Sequence, residues 1–158
     1  MNYKKVSQLQ EKRVAKEVKG KVTISSGAIW CQKGDVRNDN FLIECKTTKK
    51  DNYIFKLSTW DKIKKEAIKD GLKSPAMCIE FNNDSNKRFA ILEIGYLDEI
   101  LNYFKYCADN SEISTFFDEK QRIIYHSILS KKDYTLLTVN NTKFVIIYWD
   151  TFLRIFCN

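Results

Sequence analysis

Proline occurs once in this chain, histidine once and glycine only five times. With so few breakers there is little room for linkers, and the 158 residues read most naturally as one domain. The single histidine, His126, follows Ile123-Ile124-Tyr125 and reads as a partly buried structural residue. No Ser/His/Asp triad can be assembled around it. Neither GxxxxGK(S/T) nor GxGxxG is present, which leaves a nucleotide-phosphate or dinucleotide site unsupported. No apolar run approaches the roughly 20 residues that span a bilayer, so no membrane partner is expected. The opening residues Met1-Asn2-Tyr3-Lys4-Lys5 lack the apolar segment of a signal peptide, and a cytoplasmic location is expected. The five cysteines (Cys31, Cys45, Cys78, Cys107 and Cys157) are scattered, odd in number and without a CxxC pair. That pattern speaks against zinc and against a disulfide framework. Cys45 and Cys78 fall in apolar runs and should pack as small hydrophobes.

What is present is a 44% hydrophobic fraction, enough for a real core, and a formal charge of +7. Such a basic excess favours a polyanionic partner; the plainer reading is a lysine-rich protein from an AT-rich genome. The periodicity predicts a helix over residues 7–19, with Leu9, Val14 and Val18 on one face and Gly20 as its C-cap glycine. Lys12, Arg13, Lys16 and Lys19 are left to solvent or to an anion. Val22 to Ser25 reads as a first strand, Ser26-Gly27-Ala28 as a small-residue turn, and Asp35-Val36 as the opening of a short strand. Arg37 to Asn40 has turn composition. Phe41 to Thr47 is the strongest strand, apolar on both faces like a central strand. Ser58 is the expected N-cap of a helix running to about Asp70, with Trp60, Ile63 and Ala67 as its stripe and Gly71 as its stop. Strands are expected over 75–81 and 88–94, and a helix over 96–106.

Arg88-Phe89-Ala90-Ile91-Leu92 is weakly echoed by Lys143-Phe144-Val145-Ile146-Ile147, each ahead of a short helix-like run, 97–101 and 152–156. The expected organisation is a core over residues 1–110. Residues 111–158 are either an elaboration of the same sheet or a small appended β-rich subdomain. The segment from Lys49 to Leu57 reads as a mobile arm or a dimer hairpin.

Chemistry concentrates in Lys33-Gly34-Asp35-Val36 and Phe41-Leu42-Ile43-Glu44-Cys45-Lys46. In a strand, Glu44 and Lys46 stand on the same side and Cys45 turns away. If Asp35 ends a neighbouring strand, two carboxylates and an ammonium converge. Hard oxygen donors beside a cation suit Mg²⁺ and a phosphodiester. Taken singly, Asp35 is an ordinary turn residue and Glu44 with Lys46 a same-face ion pair worth little. The apolar residues ahead of Glu44 argue instead for burial, where an unpaired carboxylate is costly.

Glu11-Lys12-Arg13, Ser26-Gly27-Ala28, Lys33-Gly34-Asp35-Val36 and Ile43-Glu44-Cys45-Lys46 occur in an order that resembles the PD-(D/E)XK superfamily. Within it the chain is most similar to the Holliday-junction resolvases of archaea and phages, over roughly residues 7–94. The resemblance implies an α/β, restriction-endonuclease-like fold, with a mixed central sheet flanked by helices. It implies Mg²⁺, for which Mn²⁺ can substitute, held by Asp35, Glu44, the Cys45 carbonyl and Glu11 directly or through water. Lys46 would orient or activate the attacking water, a base role being open to it if a dication lowers its pKa. Ser26 would contact the scissile phosphate. Glu17 and Ser25 stand as alternatives to Glu11 and Ser26.

Lys33, Arg37, Thr47, Thr48, Lys49, Lys50 and Lys56 flank this site and are candidate DNA-backbone contacts. The expected activity is Mg²⁺-dependent endonucleolytic hydrolysis of branched DNA by a homodimer, since a resolvase makes two symmetric cuts. A phage or other mobile-element origin would suit the resemblance. The alternatives are a restriction- or repair-type endonuclease on duplex DNA, and a non-catalytic DNA-binding or inhibitor protein on such a scaffold.

Overall fold

A computed structural model of the chain describes residues 3–23, 34–94, 123–125 and 134–157. The first helix, α1 (Tyr3–Glu17), leads into two short strands, β1 (Lys21–Val22) and β2 (Val36–Arg37). β3 (Phe41–Thr48), β4 (Asn52–Ile54), α2 (Leu57–Lys69), β5 (Ser74–Phe81) and β6 (Arg88–Glu93) follow. The described remainder is β7 (Ile123–Tyr125), β8 (Tyr134–Val139), β9 (Thr142–Tyr148) and α3 (Trp149–Phe156). Seven strands form one sheet in the order β1-β2-β3-β5-β6-β9-β8, while β4 and β7 pair separately. β3 and β5 are parallel, joined through α2, and the other pairs in the large sheet are antiparallel. The fold is therefore α/β with a mixed central sheet and helices on both faces.

Alternation along β3 divides the core. Phe41, Ile43 and Cys45 pack with Val14, Ala15 and Val18 of α1 and with Trp149 and Phe152 of α3. Leu42 faces the other way, toward Trp60, Ile63 and Ala67 of α2 and toward Phe144. Trp60 and Phe55 both meet the Phe144 ring edge-on, at 5.1 Å between centroids. A strand buried on both faces lacks the alternation of a half-exposed one, and β3 and β5 are both of this kind.

Local details differ from the sequence expectations in four places. The C-terminus of α1 is a Schellman turn in which Lys19, not Gly20, takes the left-handed conformation, with φ 53°. Gly20 N–H donates to the Ala15 carbonyl and Lys19 N–H to that of Lys16. Gly20 is needed for close approach instead, because a Cβ there would lie 2.3 Å from the Arg37 carbonyl oxygen. Arg37 belongs to β2 rather than to a turn, because it pairs with both Lys21 and Leu42. α2 begins one residue before Ser58, and its N-cap is Lys56, which makes no side-chain capping bond. Residues 52–54 form neither an arm nor a dimer hairpin but pair with β7 of the same chain.

The β8–β9 hairpin closes through Asn140 and Asn141, both at positive φ, and joins the large sheet alongside β6. The echoed runs are thus antiparallel neighbours, with Ile91 opposite Ile146. The run at 152–156 is part of α3. The expected helix over 96–106, together with Ser25, Ser26, Cys31, Lys33, Cys107 and His126, lies outside the described residues.

Candidate metal and phosphate site

β2 ends where β3 still has polar residues to present. Asp35, just before β2, donates its N–H to the Ile43 carbonyl and accepts from Thr23 N–H through its own carbonyl. The next N–H on that edge of β3, from Cys45, donates to the Asp35 carboxylate (Oδ2) over 2.7 Å. A strand residue sends N–H and C=O to the same edge, so the Cys45 carbonyl leaves β3 on the Asp35 side. Gly34 precedes this turn for two reasons. Its φ is +81°, and a Cβ there would meet the Leu42 side chain at 2.8 Å.

Glu44 and Lys46 project from β3 on the α2 side, as period-two alternation requires. Glu44 is buried, and Lys46 Nζ donates to its Oε1 over 2.5 Å. Asp35 lies within their field. Burial first, and the Glu44 charge second, push its carboxyl up to about 6; Glu11 adds to this, while Cys45 N–H and Lys46 pull it down. For Lys46, burial acts to lower the pKa, but the Glu44 hydrogen bond and the Glu44 and Asp35 charges outweigh it and the net direction is upward. The Cys45 thiol is pushed well up by burial, by Cys78 and then by Asp35, Glu11 and Glu44. All three carboxylates thus act on one point of β3.

The two candidate helix carboxylates separate. Glu11 accepts from Ser7 Oγ at 3.0 Å and sits within the field of Asp35. Glu17 is occupied elsewhere: it accepts two bonds from the Arg88 guanidinium, at 2.6 and 3.1 Å, and one from the Trp149 indole at 2.8 Å. Glu80, close to the site in sequence register, points to the α1 face and pairs with Arg13. Glu93 is also engaged, accepting from the Trp60 indole and from Lys64.

Two neighbours escaped the sequence reading. Gln10 is fully buried, and its amide nitrogen donates to the carbonyls of Lys46 and, more weakly, Cys78, at 3.1 and 3.4 Å. It pins α1 to β3 beside Glu11. A glutamine inside the apolar period of a helix is the signal that could have found it. Tyr53 of β4 carries the Lys46 and Glu44 charges in its surroundings, and burial raises its phenol pKa.

The proposed backbone contacts are dispersed. Arg37 lies toward the opposite end of β3 from Lys46 and pairs with Asp70 at 3.3 Å, so it is not part of this cluster. Thr47 Oγ1 donates to Asn83. Lys49 and Lys50 are exposed just past β3, Lys50 N–H donating to Thr48 Oγ1, and Lys56 is exposed before α2.

Among the described residues, no group of three or more His, Cys, Asp or Glu side chains is arranged to hold a metal ion. What remains is a pair, Asp35 and Glu44, with Glu11 acting at longer range. This donor set fits Mg²⁺, which keeps several waters and needs only one or two carboxylates. A partly buried carboxylate whose proton affinity is raised by a second, buried one is also what a divalent cation relieves.

The chain matches no protein-family model, and no curated protein or solved structure is significantly similar to it.

Proposed function

We propose that this protein is a Mg²⁺-dependent DNA endonuclease, with branched, four-way DNA as its substrate. One observation carries the reading: Asp35, Glu44 and Lys46 meet at the point where β2 gives way, with Asp35 locked to Cys45 N–H and pushed up to about 6. The mixed sheet with helices on both faces is compatible with a restriction-endonuclease-like core, and the ordered motifs resembling resolvases supply the DNA substrate class.

In this reading Asp35 and Glu44 hold Mg²⁺, with the Cys45 carbonyl and Glu11 available to it or to its waters. Mg²⁺ supplies a more acidic water and neutralises phosphate charge. Lys46, kept protonated, stabilises negative charge developing on the phosphate and orients the attacking water. Gln10 holds the Lys46 backbone and the start of α1 in register. Hydrolysis is expected to leave a 5′-phosphate and a 3′-hydroxyl. Two symmetric cuts require two such sites, so a two-fold dimer is the expected working form, which sedimentation in solution tests.

A second reading draws on the closed Glu44–Lys46 pair and on the lack of a third carboxylate, histidine or cysteine ligand among the described residues: a non-catalytic DNA-binding protein on the same scaffold. Incubating a synthetic four-way junction and a matched linear duplex with Mg²⁺ and the parent or Glu44→Ala chain separates these. Junction cutting lost in Glu44→Ala supports the proposal, and equal cutting of both substrates moves the assignment to a general duplex endonuclease. Binding without cutting by the parent supports the second reading.

A further inference from the structure

The outward face of α1 carries a row of lysines that the cluster around Asp35 does not use, with exposed Gln8 and Leu9 in the turn between Lys5 and Lys12. Lys5, Lys12 and Lys16 are all exposed. At 3.6 residues per turn they fall within about 40° of one another around the helix, and they span about 16 Å along it. No carboxylate lies in this row. The acidic residues of α1 turn away from it, Glu11 toward Ser7 and the site, Glu17 into Arg88 and Trp149. No ion pair to Lys5, Lys12 or Lys16 occurs among the described residues.

From this we infer that the outer face of α1 is a binding ridge for the sugar-phosphate backbone of a nucleic acid. Phosphates on one strand recur about every 3.4 Å along the duplex axis, so the ridge spans several consecutive groups. A basic helix can also bind an anionic membrane, but that mode needs a free apolar face. The apolar face of α1, built from Val14, Ala15 and Val18, is buried in the core, and among the described side chains of the helix Leu9 is the only large apolar one exposed. Gln10 fixes α1 to β3, so the ridge and Glu11 move as one body. This inference rests on the nucleic-acid part of the proposed function and not on catalysis.

The fold contains its own control. α2 exposes Lys62, Lys65 and Lys69 on a comparable row across the sheet, but with the exposed carboxylate of Asp61 beside it, where the α1 row has none. Two triple variants, Lys→Gln at 5, 12 and 16 or at 62, 65 and 69, change net charge equally and touch only surface side chains. Binding to fluorescein-labelled four-way junction and duplex DNA is measured by anisotropy in EDTA, across a salt series. The α1 variant is expected to weaken binding roughly tenfold on both probes and to lower the salt-dependence slope by about 3. The α2 variant should stay within about twofold. Equal losses from both variants, or no DNA binding by the parent chain, overturn the inference. So does parent binding to phosphatidylserine vesicles in preference to DNA that the α1 variant abolishes. DNA binding that depends on the α1 row in a chain that never cleaves DNA supports the ridge and overturns the catalytic reading alone.

Discussion

Cys45 N–H donates to Asp35 Oδ2 over 2.7 Å, so a carboxylate rather than a backbone carbonyl satisfies the last edge position between β2 and β3. The same bond holds the carboxylate within the field of Glu44, where burial and like charge keep it reluctant to ionise.

The sign of that cost is testable. Between about pH 4 and about pH 6 the folded chain keeps a proton on Asp35 that the unfolded chain has released. The folded state then binds more protons, so this group makes stability fall as pH rises through the window, and the loss is complete above it. Asp35→Asn keeps an acceptor for Cys45 N–H and removes the charge. At pH 7.5 in EDTA it should stabilise the chain by up to about 3 kcal/mol, read as a higher melting temperature. At pH 4 the difference should vanish.

Lys46 and Glu44 are expected to fail differently. Lys46→Met removes the stabilising cation and should cut cleavage by about 10²–10³, whereas Lys46→Arg, keeping the charge, should retain part of the activity. A Lys46→Met chain with undiminished turnover under single-turnover conditions would exclude a role in charge stabilisation.

The two carboxylates of α1 should separate in a paired experiment. Glu17→Ala strands the nearly buried Arg88 guanidinium and should destabilise the fold by about 3–5 kcal/mol. Glu11→Ala loses one hydrogen bond at a half-exposed position and should leave the melting temperature nearly unchanged while lowering Mg²⁺-dependent cleavage. Thermal melts and cleavage rates on both variants check the contrast.

Much of this arrangement was legible because period-two and 3.6-residue patterns are local. The alternation Leu42, Glu44, Lys46 against Ile43, Cys45 follows from strand geometry, and the Trp60, Ile63, Ala67 stripe from helix geometry. What the patterns could not carry was tertiary. Arg37 has turn-like neighbours but is drawn into β2 by pairing on both edges. Ser58 has the chemistry of a cap, yet the chain enters α2 through Lys56. Tyr53 reaches the site only because β4 pairs with β7, some seventy residues away in sequence. The engagement of Glu17 by Arg88 and Trp149 is likewise tertiary, and no spacing on α1 reveals it.

The most direct test of the central claim is the binding of Mn²⁺, as a spectroscopic stand-in for Mg²⁺, to the DNA-free protein by electron paramagnetic resonance. The parent chain should bind Mn²⁺ in competition with Mg²⁺, and that binding should be lost in both Asp35→Asn and Glu44→Gln. Mn²⁺ binding that is absent from the parent, or unchanged in the two variants, would contradict a metal site built on Asp35 and Glu44.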